Sequence, residues 1–162
     1  MNTPNGYGEL IKTFGDPKQF ITEDGRVDPK WEYSQMGFAQ LPMPVFLAWD
    51  TSKLVSKIYC NREMIPVFTD VFMKIHTAGL WRFVQNYGGC YNWRMKRVNS
   101  QLSTHCWGVS VDLNPSTNGL GTYGDQNAEI VDIFEDAGFV WGGRWTPKKA
   151  CDPMHFQFCQ NY

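Results

Sequence analysis

The sequence lacks features that would assign it to several common classes of protein. No apolar run approaches the roughly 20 residues of a membrane-spanning helix, so we expect no integral membrane segment. With 15 basic and 16 acidic side chains and a net charge of -1, it also lacks the basic surface that nucleic-acid binding requires. The first residues carry no basic start, apolar stretch or cleavage site of a secretory signal. We therefore expect synthesis in the cytoplasm without a signal peptide, and no nucleic-acid partner.

The sequence also lacks the even number and the close spacing of cysteines that disulfide frameworks and thiolate metal sites show. The five cysteines are an odd number, and none has the CxxC spacing of a thiolate zinc site. The pattern argues against a disulfide framework, and we expect most of the thiols to be reduced and to behave as small hydrophobic side chains. They are Cys60, Cys90, Cys106, Cys151 and Cys159.

What is present indicates one folded domain. The chain has 162 residues, of which 43% are hydrophobic and 15% aromatic, enough to form a substantial core. Residues 1–40 are rich in glycine, proline and aspartate, with a short amphipathic piece from Tyr7 to Phe14, and we interpret them as an N-terminal wrap of the same domain. Residues 41–162 form the remainder, and we expect a monomer.

Two helices are predicted from apolar residues at helical spacing. The first lies between Asn61 and Gly79, with Pro66 confined to its first turn or bending it. The second runs from about Gln126 to Ala137, and Gly138 provides a left-handed stop. His76 lies beside the apolar stripe of the first helix, and we interpret it as structural.

Several short segments predict strands. Val45–Trp49 is apolar and follows Pro44, which can open a strand but does not fit inside a central one. Residues 108–113 and 154–158 alternate apolar and polar side chains, the period of a half-buried strand, and residues 139–141 follow the second helix as a further strand. These elements together predict an α+β fold in which a small antiparallel sheet packs against amphipathic helices.

Three residues in the predicted strands and turns are candidate metal ligands. Asp112 alternates with core residues, and His105 lies seven residues earlier on the turn that feeds the same strand. Gly108 between them lets the backbone fold back, so that both side chains can converge. His155 points away from the aromatic neighbours of its own strand. If the two strands pair, these residues form a three-ligand zinc site whose fourth position is left for water.

Asp152 is a candidate catalytic base. It lies three residues before His155, and Pro153 between them stiffens the turn. A carboxylate at this position would accept a proton from a water that zinc has activated, and would later pass it to the leaving amine. Each piece alone is open to a simpler interpretation, since a lone histidine is usually structural and Asp-Pro often marks a turn.

Two of these motifs resemble those of a known family. The segment from Ser103 to Asp112 resembles the SxHxxGxAxD signature of the M15 peptidases, and residues 152–156 resemble their closing motif. Residues 138–145, with the sequence GFVWGGRW, are most similar to the VanY-like branch that includes phage endolysins with L-alanyl-D-glutamate peptidase activity. The resemblance covers roughly residues 41–159.

The resemblance implies a hedgehog/DD-peptidase-like fold and assigns a role to each matching residue. By similarity, His105, Asp112 and His155 are the zinc ligands and Asp152 is the catalytic carboxylate. Arg94 aligns with an arginine that would polarise the scissile carbonyl or hold a substrate carboxylate. Ser103 matches a position near the substrate, although a turn-forming role fits it equally well. Ser110 replaces the usual alanine, a small-for-small change that we expect to leave the metal undisturbed.

The implied function is zinc-dependent hydrolysis of the stem peptides of peptidoglycan, at the L-Ala–D-Glu bond as in endolysins. A D-Ala-D-Ala carboxypeptidase remains an alternative within the family, because pocket shape cannot be read from sequence. A non-catalytic wall-binding or virion structural module is the alternative outside enzymes. The missing signal favours delivery of the protein to the host periplasm and cell wall by a holin or with a virion tail.

Overall fold

The computed structural model describes residues 1–96 and 101–162. Four α-helices are found within these residues: α1 Gly6–Phe14, α2 Pro29–Gln35, α3 Ile65–Thr77 and α4 Ala128–Asp136. Six strands form the sheet: β1 Met36–Leu47, β2 Asp50–Asn61, β3 Asn86–Gly89, β4 Ser110–Leu113, β5 Val140–Trp141 and β6 His155–Gln157.

The strands form one sheet in the order β2-β1-β3-β4-β6-β5. Neighbouring strands are antiparallel except β1 and β3, which are parallel. The parallel pair arises because α3 lies between these strands in the chain, and a parallel connection needs such a crossover. The α+β fold predicted from the sequence is confirmed, with one parallel pair in a sheet that is otherwise antiparallel.

The two predicted helices are both present. Helix α3 follows a 3₁₀ turn at Arg62–Met64, and Pro66 lies in its first turn, where a missing N–H costs no hydrogen bond. Its buried side chains are Phe68, Val71, Phe72 and Ile75. Each contributes about 1.5–3 kcal/mol by leaving water. Helix α4 packs against α3 and is followed by Gly138 at a φ of 96°, as the sequence predicts.

Strand β1 is longer than the sequence predicts, and it forms a hairpin with a strand that the sequence does not predict. Strand β1 begins at Met36, so Pro42 and Pro44 lie inside it and not at its start. The pairing with β2 shifts register between Gln40 and Val45, and a bulge of this kind accommodates the missing N–H groups of the prolines. Strand β2 was not predicted, because half of its residues are exposed and its buried side chains lie only near its C-terminal end.

The N-terminal residues pack behind the turn that carries His105. Trp107 is fully buried, its indole Nε1 donates to the Gly15 carbonyl at 2.8 Å, and its ring meets Tyr7 edge-on. Leu10 and Phe14 of α1 join the main core. The Gly6 N–H donates to the Gln160 carbonyl, which brings the two chain ends together. This packing anchors the His105 turn on its inner side.

The cysteines are free, as expected for most of them. All five lie among the described residues and are buried. Burial raises the pKa of Cys60 to about 12 and that of Cys159 to about 11, so these thiols stay protonated at neutral pH. Across residues 1–96 and 101–162, no helix has the length and apolar character needed to cross a bilayer.

Candidate active site

A short turn places His105 at the end of the sheet. The turn is a 3₁₀ helix at Thr104–Trp107, and Gly108 ends it in the left-handed conformation, at a φ of 64°. A side chain at Gly108 would place its Cβ 2.7 Å from the Asn61 backbone nitrogen, so both the φ and the space require glycine. The chain therefore reverses at Gly108 and enters β4 with the His105 imidazole beside that strand.

Strand pairing brings Asp112 and His155 together. Strands β4 and β6 are antiparallel neighbours, and Asp112 lies directly opposite His155 in their register. Directly opposed residues project to the same face of a sheet, with Cβ atoms about 5 Å apart. Val111 and Phe156, which alternate with them, are fully buried in the core on the other face. The pairing that the sequence analysis required is present.

The three candidate ligands converge on one point. The His105 Nε2 atom lies 3.1 Å from His155 Nδ1 and 3.2 Å from Asp112 Oδ1, and the latter two atoms are 3.0 Å apart. A tetrahedral zinc ion with bonds of about 2.0–2.1 Å holds its ligand atoms about 3.3 Å from one another. The separations in the protein therefore match the ligand set of such an ion.

Hydrogen bonds determine which nitrogen of each imidazole faces this point. The His105 Nδ1 atom is 2.6 Å from the Cys90 carbonyl, and His155 Nε2 is 3.2 Å from Gln157 Oε1. Both oxygens only accept, so each of these nitrogens carries the proton and donates. His105 Nε2, His155 Nδ1 and Asp112 Oδ1 then all present lone pairs to one another. Three converging acceptors repel unless a cation lies between them, so the residues fit a metal ion.

The charge state of the cluster agrees with this conclusion. Burial by itself raises the pKa of Asp112, but the neighbouring His105 and His155 outweigh burial and hold that pKa well below its ordinary value. Burial likewise disfavours a charged His155, whereas the neighbouring Asp112 carboxylate raises the pKa of His155 above its ordinary value. The cluster thus carries a carboxylate charge and attracts a positive charge, from a proton or a metal.

Asp152 lies next to this cluster on a tightly held turn. Its N–H donates to the Gly142 carbonyl at 2.9 Å, and its carbonyl accepts the His155 N–H at 3.0 Å. Its negative charge is close enough to raise the pKa of His155. A side chain at Gly142 would place its Cβ 2.5 Å from the Asp152 carbonyl oxygen. Gly142 therefore permits the close approach that positions Asp152.

A cleft of about 340 Å³ opens over two of the candidate ligands, whereas His155 and Asp152 are not among its lining residues. Its lining includes His105, Asp112, Trp49, Tyr91, Asn92 and Arg94. Arg94 is held there through Cys106, whose sulfur accepts the Arg94 N–H at 3.2 Å and donates to the Arg94 carbonyl at 3.1 Å. None of the ion pairs within residues 1–96 and 101–162 involves Arg94. As a lining residue of the cleft, Arg94 can meet an anionic group that binds there.

Ser103 occupies a different position from the other candidates. It is buried at the N-cap of the His105 turn, where its hydroxyl oxygen accepts the His105 N–H at 3.4 Å. It is not among the residues that line the cleft. The structure therefore supports the turn-forming interpretation of Ser103, and contact with substrate has no support.

Several neighbours of the site were missed by the sequence analysis. Trp145 packs on the His155 ring with their centroids 5.4 Å apart, and Trp49 reaches the cleft from the tip of the unpredicted hairpin. Gln157 was seen only as a polar residue of its strand. The signal that was available is the position of Gln157 two residues after His155, on the same face of a strand.

A larger cavity, of about 780 Å³, lies away from these residues. It is bordered by α1 and α2, with Lys12, Lys30 and Trp31 in its lining, and it contains none of the candidate site residues. We assign the chemistry to the smaller cleft, because the candidate metal ligands His105 and Asp112 line it.

Comparison with known proteins supports the same part of the chain. A family model described as D-alanyl-D-alanine carboxypeptidase matches residues 97–158. These residues contain His105, Asp112, Asp152 and His155, whereas Arg94 lies just before them. No curated protein and no solved structure matches the chain at a significant level.

Proposed function

Because the chain belongs to the M15 peptidases, a family of zinc metallopeptidases that act on peptidoglycan, we propose that it uses zinc to hydrolyse a peptide bond in cell-wall stem peptides. The observation that carries the proposal is the convergence of three lone pairs from His105, Asp112 and His155 beside a cleft. A group of acceptors so close together has little structural value without a cation, since burying them unpaired is costly.

The proposed mechanism assigns one role to each group. His105, Asp112 and His155 would hold a zinc ion, and the chemistry that it would supply when bound is activation of a water and polarisation of the scissile carbonyl. Asp152 accepts the proton of the attacking water and returns it to the nitrogen of the leaving amine. Its fixed turn beside His155 supports this role, because the Asp152 charge acts on His155 although Asp152 is not one of the three converging groups.

Arg94 is proposed to bind the substrate. It lines the cleft together with His105 and Asp112, and its backbone is tied to the residue that follows His105. A guanidinium pairs with a carboxylate through two parallel hydrogen bonds, which orients the peptide as well as attracting it. The family's stem-peptide substrates carry a free carboxylate near the bond that is cut.

For the bond that is cut, we propose L-Ala–D-Glu, an endolysin-like activity. The support is the similarity of residues 138–145 to that branch and the aspartate at position 152, which other members replace with glutamate. The description of the matching family model favours a D-Ala-D-Ala carboxypeptidase as the second candidate. Arg94 does not separate the two, since the D-Glu α-carboxylate and the terminal D-Ala carboxylate both lie close to their scissile bonds.

Mass spectrometry of the fragments released from purified peptidoglycan separates these activities. We expect peptides that begin with D-Glu, and glycan that keeps only L-Ala on its muramic acid. Release of free D-Ala from an otherwise intact stem would assign the carboxypeptidase activity instead. Wall that stays intact with zinc-loaded protein would favour the non-catalytic binding module. Peptidoglycan incubated with the chelated protein is the control.

Replacing Arg94 with lysine is expected to raise KM and lower kcat/KM by about 10–100-fold, since an ammonium group cannot form the paired hydrogen bonds of the guanidinium. Zinc content should stay at the wild-type level. The measurement is steady-state kinetics on a defined stem peptide, with zinc determined on the same sample. Arg26→Lys is the matched control, because Arg26 is highly exposed and pairs only with Asp24 among the described residues. Unchanged kinetics in Arg94→Lys would remove Arg94 from the substrate site.

A further inference from the structure

A series of buried polar side chains, joined by hydrogen bonds, ends at His155. Ser110, Thr104 and Gln157 are at most 3% exposed. The Ser110 hydroxyl donates to Thr104 Oγ1 at 2.6 Å, and the Thr104 hydroxyl donates to Gln157 Oε1 at 3.3 Å. Gln157 Oε1 in turn lies 3.2 Å from His155 Nε2. Burying a polar group costs free energy unless it makes hydrogen bonds. A series of four hydrogen-bonded, buried side chains therefore needs a physical explanation.

The direction of these hydrogen bonds is determined at Gln157. Its Nε2 group donates to the backbone carbonyls of Cys159, at 2.8 Å, and Tyr162, at 3.3 Å. Carbonyl oxygens only accept, so the amide cannot be flipped, and Oε1 must face His155 and Thr104. The C-terminal backbone thus orients the side chain that meets the imidazole.

The two histidines of the site are oriented by partners of different kinds. His105 donates to the backbone carbonyl of Cys90, a partner that no side-chain substitution removes. His155 donates to a side chain, Gln157, supported by Thr104 and Ser110. A partner that only accepts requires the proton on His155 Nε2, which leaves the Nδ1 lone pair directed at Asp112 and His105.

We propose that Gln157 is a positioning residue for the metal: it holds His155 in the tautomer and orientation that direct Nδ1 to the ion, and Thr104 and Ser110 support it. This rests on the proposed function only for the identity of the ion. Ser110 lies furthest from His155 in this series of hydrogen bonds. The M15 signature that residues 103–112 resemble has alanine at this position, so this sequence departs from the signature there. The Ser110 hydroxyl supports Thr104 through a hydrogen bond, whereas from the sequence alone the change from alanine to serine is expected to have no effect on the metal.

The test replaces Gln157 with methionine, which has a similar volume and offers no comparable acceptor. We expect zinc affinity to fall by about 10–100-fold, the usual effect of losing a group that orients a metal ligand. Affinity is measured by competition with a chromophoric chelator. Histidine ¹H–¹⁵N spectra of the metal-free protein in alkaline buffer should show His155 protonated at Nε2 in the wild type and a mixture of tautomers in the variant.

Two further variants control for a general loss of structure. Gln160→Met changes an exposed glutamine whose backbone N–H and carbonyl make its hydrogen bonds among the described residues, and should leave zinc affinity and the His155 tautomer unchanged. Gln157→Glu keeps an acceptor for His155 but loses both donors to the Cys159 and Tyr162 carbonyls, so it is expected to keep the Nε2–H tautomer and to recover only part of the affinity. Thermal melting of the metal-free proteins reports whether each variant is folded.

Unchanged zinc affinity and an unchanged His155 tautomer in folded Gln157→Met would overturn the proposal. If that variant does not fold, Thr104→Val takes its place, because it removes the donor to Oε1 while Gln157 remains, and a several-fold loss of affinity is expected. Unchanged affinity there would equally overturn it. Neither readout uses peptide hydrolysis, so a wild-type protein that binds zinc but cuts no peptidoglycan would refute the proposed function and leave this inference standing.

Discussion

Replacing Asp152 with asparagine is expected to lower kcat by about 10²–10⁴, the usual effect of losing a general acid–base group. The amide is nearly isosteric with the carboxylate but cannot accept a proton at neutral pH. The backbone bonds from Asp152 to Gly142 and to His155 do not involve the carboxylate, so the turn should persist. Zinc content should remain at one ion per chain. The measurement is turnover and zinc stoichiometry on one preparation.

Two outcomes would contradict this role. Loss of zinc from Asp152→Asn would make the residue a ligand, although it lies outside the three groups that converge. Near-normal turnover with full zinc would reduce it to a turn residue. Asp70→Asn is the matched control, because Asp70 is an exposed aspartate of α3 that pairs with Lys74 far along the chain from the site. That variant should keep both turnover and zinc.

Replacing His155 with alanine is expected to abolish hydrolysis and to weaken zinc binding by more than about 10²-fold, beyond the effect of losing an orienting partner alone. His105 and Asp112 would then be the two remaining protein ligands of the metal. Because metal binding contributes directly to folding free energy, the zinc-dependent part of the melting temperature should also disappear. Elemental analysis, melting with and without added zinc, and turnover measure these three effects.

Removing the metal from the wild-type protein should reproduce the loss of activity. Treatment with a chelator is expected to stop wall degradation, and added zinc should restore it in wild type but not in His155→Ala. His76→Ala is the matched control, since His76 lies exposed on α3 and contacts Trp81 outside the cleft. Full activity in protein that contains no metal by elemental analysis would overturn the zinc mechanism.

The sequence by itself determined the elements whose periodicity reflects burial on one side. Helices α3 and α4 and strands β4 and β6 were predicted because their apolar residues recur at the spacing of the structure they adopt. Asp112 and His155 alternate with core residues on β4 and β6, so their common face follows from strand geometry once the two strands pair. The candidate ligands could therefore be named without coordinates.

Only the tertiary structure decided how distant segments meet around those ligands. Half of the residues of β2 are exposed and its buried side chains lie only near its C-terminal end, so the hairpin that carries Trp49 to the cleft could not be predicted. The same holds for the partners of the two imidazoles, the Cys90 carbonyl and Gln157 Oε1, since a hydrogen bond depends on a few tenths of an ångström. Residue spacing specifies which side chains share a face. The atoms that orient them are specified only when the core has packed.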